Sequence, residues 1–409
     1  MTTSETTCFV YLQLPGTHRL VTAGKFVLEQ EVGRFTYGRS YLENPASVAL
    51  DQFELPLVRR VFENTRLKGV FGALRDASPD AWGRRVIERF LDRTDLGEVD
   101  FLLNSPEDRA GALSFGRSPT PPPPVQRFNQ VLQLGQLLAA ADLIDSDSPL
   151  APQLDQLLQP GTSMGGARPK NVVEDRHGLW IAKFPARNDR WNNAAVEGAM
   201  LQLAQECGLR AASARLTRIG KRDVLLVKRF DREKTDAGYL RHRMVSALTV
   251  LRTEESAVDR RGWSYLRFAE ELARWSEKPK EDLRELFGRI AFNALISNTD
   301  DHPRNHALIA AGEGWRLSPA YDLVPNPLVS AERRDLAMEL GPKGRWANRK
   351  NLLASAARFR LSAREAKAIV DRTRRIVSER WEETALRAGA TRRDCRRIGR
   401  AFAYPGFEL

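Results

Sequence analysis

Cysteine is scarce in this chain. Among 409 residues there are three, Cys8, Cys207 and Cys395, far apart and odd in number, which excludes a disulfide framework and a zinc module. Long apolar runs are missing as well: none approaches the roughly 18 residues that span a bilayer. The N-terminal Met1-Thr-Thr-Ser-Glu-Thr-Thr lacks the basic-then-apolar order of a signal peptide. These absences lead to the expectation of a cytoplasmic protein with no membrane partner. No C-x₂-C finger and no internal repeat is present, so base-specific reading of nucleic acid by this chain is not expected.

What the chain has is enough apolar content for two or three cores, 42% of residues, and an excess of base over acid. Lys and Arg total 64 against 52 Asp and Glu, a net charge of +12, with arginines concentrated in places such as Arg392-Arg-Asp-Cys-Arg-Arg397. Such a surface favours contact with polyanions, either nucleic acid itself or a partner bound to it; it serves equally as a solubilising coat.

Composition along the chain suggests four segments. Residues 1–118 mix short strand patterns with helices, one of them expected to start with Ser78 as N-cap, Pro79 at the first helical position and Asp80 in the first turn. Pro119-Thr-Pro-Pro-Pro-Pro124 can continue neither helix nor sheet; a spacer with one helix pattern fills 119–159. Strand patterns dominate 160–243 and helical periodicity dominates 244–409, including Leu283, Leu286, Phe287, Ile290 and Ala294.

The densest chemistry lies in Asn298-Thr-Asp-Asp-His-Pro-Arg-Asn-His306, between a helical and a strand pattern. An Asp followed five residues later by an Asn, Asp300 and Asn305, matches the catalytic-loop spacing of protein kinases, where the Asp takes the hydroxyl proton and the Asn holds Mg²⁺. A short hairpin is expected next, turning at Gly312-Glu-Gly314, and it delivers a second carboxylate, Asp322. Upstream, Ser163-Met-Gly-Gly-Ala-Arg-Pro-Lys170 is a glycine-bearing loop in which Gly165 and Gly166 let backbone N–H groups approach phosphate oxygens. In Leu179-Trp-Ile-Ala-Lys-Phe184 the alternation of a strand puts Lys183 on the face of Leu179 and Ile181. A phosphate is the natural partner for an inward ammonium, and Glu197 on the following helix is placed to pair with it.

Together, Ser-x-x-Gly-Ala-x-x-Lys, the Lys-Phe-Pro strand, Arg-Phe-Asp-Arg, Asn-Thr-Asp-Asp-His-x-x-Asn and Pro-x-Tyr-Asp resemble the HipA family of serine/threonine kinase toxins. Leu55-Pro-Leu57 and Leu74-x-Asp-x-x-Pro-Asp-x-Trp-Gly83 resemble the subdomain that precedes the kinase core in that family. The resemblance implies an α+β, two-lobed, kinase-like fold with an additional N-terminal α/β subdomain and a mostly helical C-terminal lobe. It implies ATP and Mg²⁺ as cofactors, with Asp300 as catalytic base, Asn305 and Asp322 as metal ligands, and Lys183 on the phosphates. Gly165, Gly166, Ala167, Arg168, Pro169 and Lys170 would cover the phosphates. Lys228, Arg229 and Phe230 would line the adenine pocket, while His302, Pro303, Arg304, Asn305 and Tyr321 would complete the nucleotide site. Ser163 falls where the family carries a self-phosphorylated serine. Lys228 departs from family members that carry Glu there.

The implied partners are a small helix-turn-helix antitoxin, DNA reached through it, and a protein substrate in the translation machinery such as an aminoacyl-tRNA synthetase. Two other readings compete. One is a catalytically weak regulatory subunit that holds an antitoxin on DNA. The other is a metal-dependent phosphohydrolase using His302 and His306, whose i, i+4 spacing suits a metal on a helix but is interrupted by Pro303.

Overall fold

A computed structural model describes residues 5–123, 128–146, 168–254, 260–402 and 404–409. Helices and sheets are both present and largely segregated, as the α+β expectation requires. The chain folds into two compact units, neither continuous in sequence: residues 1–187, 228–254 and 309–313 form one, and 188–227, 255–308 and 314–409 the other. The segment 160–243 therefore contributes to both.

The first unit opens with strands β1 (Thr7–Gln13), β2 (Leu20–Glu29), β3 (Val32–Tyr37), β4 (Val61–Asn64) and β5 (Leu113–Gly116). They make one sheet in the order β4-β3-β2-β1-β5, with antiparallel registers such as Phe26↔Phe35 and Val10↔Phe115. Alternate residues, among them Cys8, Val10, Leu12, Phe26, Phe35 and Phe62, turn to one buried face, the period-2 signature of a half-covered sheet. The helices that follow β4 include α1 (Ala81–Leu91) and α2 (Glu98–Asn104). Helix α1 starts two residues later than its sequence suggests: Asp80, not Ser78, is the N-cap, its carboxylate accepting the Gly83 N–H at 2.7 Å. Asp80 wins because it has a second partner, the Lys170 ammonium at 2.6 Å.

Past helix α3 (Leu134–Asp145) comes the hairpin of β6 (Lys170–Asp175) and β7 (Gly178–Lys183), with Val172 opposite Ile181 and Lys170 opposite Lys183. Val172, Leu179 and Ile181 pack with Ala110, Phe128 and Tyr239. Lys183 closes β7 on the face that alternation shares with Leu179 and Ile181, and the opposite face, with Trp180 and Ala182, is buried as well.

In the second unit, α4 (Asn193–Glu206) buries Val196, Met200 and Leu203 completely and Glu197 nearly so. The hairpin β8 (Ala214–Ile219) and β9 (Arg222–Lys228) follows. The rest is mainly helical: α5 (Tyr265–Trp275), α6 (Pro279–Ile296), α7 (Ala363–Arg387) and α8 (Arg392–Ile398). Pro279 sits at the first turn of α6, where its missing N–H costs nothing. Among the described residues no helix is long and apolar enough to cross a membrane.

Candidate functional site

The loop that follows α6 is built from its anchor points upward. Ser297 ends the helix in the left-handed region at φ 56°, its N–H bonded to Ala294 and Asn293 carbonyls. Arg334 donates to the Ser297 hydroxyl and to the carbonyls of Ala401, Arg400 and Ser330, the last three at 3.0, 2.7 and 2.7 Å. Asn326 is fixed to the same stretch, its N–H 3.1 Å from the Ser297 carbonyl and its side-chain amide 2.9 Å from the Thr299 hydroxyl. The helix terminus is thereby immobilised from several directions before the loop begins.

Two adjacent aspartates then part company. Asp300 is exposed, whereas Asp301 is wholly buried. Asp301 Oδ2 accepts hydrogen bonds from the Tyr265 hydroxyl, from Asn293 Nδ2 at 2.6 Å and, facing His306 Nε2, across 2.9 Å. Burial, reinforced by the adjacent Asp301 charge, pushes the Tyr265 phenol well above its ordinary pKa, so it is a fixed proton donor at any workable pH.

A 3-10 turn over Pro303–Asn305 closes the loop. Asn305 Nδ2 donates to the Asp300 carbonyl at 3.2 Å, which commits its nitrogen and leaves the amide oxygen as the side chain's acceptor. The two residues that spacing singled out are therefore joined directly. Strands Ala307–Ala310 and Arg316–Leu317 follow, with the Ser318 N–H closing onto the Ala307 carbonyl at 2.9 Å; this is the expected hairpin. Tyr321 donates to the Arg304 carbonyl at 2.7 Å, and Asn298 Nδ2 reaches the Asp322 carbonyl at 3.4 Å. Asp322 itself is left-handed at φ 58°, a conformation that non-glycine residues hold only where surroundings over-determine it.

This corner thus collects an exposed carboxylate (Asp300), an amide oxygen (Asn305) and a half-buried carboxylate (Asp322). Hard oxygen donors of this kind suit Mg²⁺, which takes few protein ligands and keeps much of its water. Among the described residues, no group of three or more His, Cys, Asp or Glu is disposed to hold a metal ion. His306 is 2% exposed and turned toward Asp301, with Pro303–Asn305 as the intervening 3-10 turn. The two histidines consequently do not share a helical face.

In the other unit, Lys183 is half-buried at the end of β7 and Lys228 is exposed. Arg229 N–H bonds to the Leu179 carbonyl at 3.0 Å, tying the segment Lys228-Arg229-Phe230 to β7. The Arg229 side chain is occupied: it donates to Asp231 at 2.9 and 2.7 Å and to the Arg109 carbonyl at 2.7 Å. Arg232 also faces Asp231, at 2.8 Å. Burial raises the pKa of Asp231, but the two guanidinium charges and their hydrogen bonds more than reverse this, holding it far below the usual carboxylate range.

Lys170 is 3% exposed with its ammonium on Asp80, and the Trp82 indole donates to its carbonyl at 3.1 Å; it is a buried cation facing a carboxylate, not one turned to solvent. Arg168 is exposed and the Pro169 carbonyl accepts the Phe184 N–H at 3.0 Å. Ser163, Gly165, Gly166 and Ala167 lie outside the described residues. Sequence spacing passed over Asp301, Tyr265 and Asn293; the only linear signal was the doubled aspartate.

Residues 162–381 match the model of the HipA-like C-terminal domain, and residues 19–116 that of the HipA N-terminal domain. A curated relative, "Putative kinase Y4mE" of Sinorhizobium fredii, is 27% identical over 168 residues, 40% of this chain. The match spans only 38% of that relative's length. Among solved structures, a chain of the Shewanella oneidensis MR-1 toxin–antitoxin complex of HipA, HipB and operator DNA superposes with a TM-score of 0.71 at 18% identity, covering 96% of this chain and 94% of its own. A proinflammatory kinase of Helicobacter pylori, CtkA, gives a TM-score of 0.38 at 14% identity over 58% of this chain and 95% of its own, too low to carry an argument. With more than half its length matched by the C-terminal domain model and residues 19–116 by the companion model, the chain belongs to the HipA family.

Proposed function

We propose that this chain is an ATP- and Mg²⁺-dependent serine/threonine protein kinase acting as the toxin of a toxin–antitoxin pair. The observation that carries this reading is the loop of residues 298–306, in which an exposed Asp300 is bonded through its carbonyl to Asn305, within a chain of the HipA family. In the reaction, Asp300 orients a seryl or threonyl hydroxyl and takes its proton as the oxygen attacks the γ-phosphorus of ATP in line, ADP being the leaving group. Asn305 through its amide oxygen and Asp322 through its carboxylate would hold Mg²⁺, which when bound neutralises charge developing on the phosphates.

Lys183 would add a cation on the phosphate side, and Lys228 to Phe230 would meet the adenine largely through backbone groups, since the Arg229 side chain is engaged by Asp231. Gly165 to Pro169 would cover the phosphates, and His302 to Arg304 with Tyr321 would frame the nucleotide. The partners proposed are a small helix-turn-helix antitoxin, operator DNA reached through it, and a cytoplasmic substrate in the translation machinery. Support for the antitoxin comes from the solved relative's complex with HipB and DNA. Ser163 would be the self-phosphorylation site.

The test is transfer of label from γ-labelled ATP to protein. Asp300→Asn, which conserves volume and loses the base, should lower transfer by roughly 10²–10⁴-fold with ATP binding retained. Asp322→Asn should instead weaken nucleotide binding only when Mg²⁺ is present, read by calorimetry with and without metal. Wild-type transfer by Asp300→Asn, or equal loss in both calorimetry arms for Asp322→Asn, refutes the assignments. Intact mass after turnover should show one phosphate fewer in Ser163→Ala.

A further inference from the structure

Beneath the loop lies a buried polar cluster that the reaction itself does not use. Asp301 is 0% exposed, Tyr265 0%, Asn293 1% and His306 2%. A carboxylate so placed loses its hydration, a cost recovered only through several donors, and Asp301 gathers three on one oxygen. Asn293 is itself oriented, because its amide oxygen accepts from Asn298 Nδ2 at 3.2 Å while its nitrogen donates to Asp301. Phe268 and Tyr265 pack on the His306 ring with centroids 6.1 and 5.5 Å away. Apolar residues of equal volume would fill this space at less cost. What they would not supply is direction.

The direction matters because of what adjoins the cluster. Asp301 follows Asp300, and His306 follows Asn305. The 2.9 Å contact between Asp301 and His306 ties the loop together at its base, and the Asn305–Asp300 bond ties the residues that immediately precede each of them. We infer that Asp301, His306, Tyr265 and Asn293 are positioning residues, which together set the separation and orientation of Asp300 and Asn305. This rests on the kinase reading, since it assigns the loop its chemistry. Misplacing reacting groups by about 1 Å costs on the order of 10²-fold in rate, so a cluster that only packed the core would be replaceable by apolar side chains and this one would not.

The experiment uses the full chain, Mg-ATP and a protein substrate, with two variants at one position. His306→Leu removes the donor; His306→Gln restores an N–H close to where the imidazole Nε2 stood. His306→Leu should lower kcat on the order of 10²-fold with KM for the protein substrate within about twofold, the signature of an interaction realised in the transition state, and His306→Gln should recover most of the loss. Tyr265→Phe, a single hydroxyl deletion that the fold tolerates, should lower kcat on the order of tenfold, one charge-assisted hydrogen bond's worth.

A readout independent of activity is hydrogen exchange across residues 298–306 in the nucleotide-free protein, which should be faster in His306→Leu than in wild type or His306→Gln. Folded variants with wild-type kcat and wild-type exchange overturn the inference, as does His306→Gln behaving like His306→Leu. A wild-type chain that transfers no phosphate refutes the kinase reading instead, and the exchange comparison then decides the positioning claim alone.

Discussion

Asp300 and Asp301 are identical side chains one residue apart, yet one is exposed and the other is locked among Tyr265, Asn293 and His306. Environment, not residue type, divides the labour between them. Asp51 makes the same point in the first unit. Its Oδ1 accepts three backbone N–H groups, from Phe53, Glu54 and Leu55 at 2.8, 2.6 and 3.4 Å, yet complete burial outweighs them and pushes its pKa up to about 7. The native state therefore binds a proton that the unfolded chain releases near pH ~4. Asp51's contribution to stability is present below that value and is lost as pH rises toward about 7. Asp51→Asn keeps an acceptor oxygen for the three N–H groups and cannot ionise. Thermal melts should show the variant gaining on wild type as pH rises from 4 to 7; a constant difference over that window contradicts the argument.

At the scale of elements, local signals located the helices and strands but tertiary partners adjusted their ends. Helix α7 begins where a capping box says it should, Ser362 accepting the Glu365 N–H at 3.2 Å and Glu365 accepting the Ser362 N–H at 2.9 Å. Helix α1 begins at Asp80 instead of Ser78, because only Asp80 serves a backbone N–H and a buried ammonium at once. Two energies are separable there. Asp80→Asn keeps a good N-cap and removes the charge that faces Lys170; Asp80→Ala removes both. Breaking a buried ion pair from one side costs about 3–5 kcal/mol and losing a cap about 1 kcal/mol. Urea unfolding should therefore place Asp80→Asn well below wild type and Asp80→Ala slightly lower still. A near-wild-type Asp80→Asn would mean that the ion pair contributes little.

For the whole molecule, net charge of +12 is the dominant long-range property. On α8, Arg392, Arg393 and Arg396 are exposed, while Arg374, Arg380 and Arg387 on α7 are paired with Glu408 and Glu206. These ion pairs leave the net charge unchanged but hold the α7 arginines in place, while those of α8 face solvent. In mobility-shift assays the chain alone should bind DNA weakly, without sequence preference and with a steep fall as salt rises. Tight, sequence-selective binding should require the antitoxin. Selective binding by the isolated chain would overturn the partner model.

Much was written in the linear sequence. Alternation put Lys183 on the face of Leu179 and Ile181, helical periodicity picked out Leu283, Leu286, Phe287, Ile290 and Ala294, all buried in a helix that is buried all round from Leu286 to Ile296, and the spacing from Asp300 to Asn305 marked a loop whose ends meet. These are short-range properties, set by strand and helix periods and by a few backbone turns, and they survive transfer into any fold. What the sequence left open was which of two neighbouring aspartates faces inward, where the charge of Lys170 is neutralised, and that Arg229 serves Asp231. Tyr265 is 36 residues from Asp301 and Asp80 is 90 from Lys170, while Arg229 and Asp231, two residues apart, pair because both are buried. Desolvation and hydrogen-bond completion depend on what the folded chain brings to a point in space, so only the tertiary structure settles them.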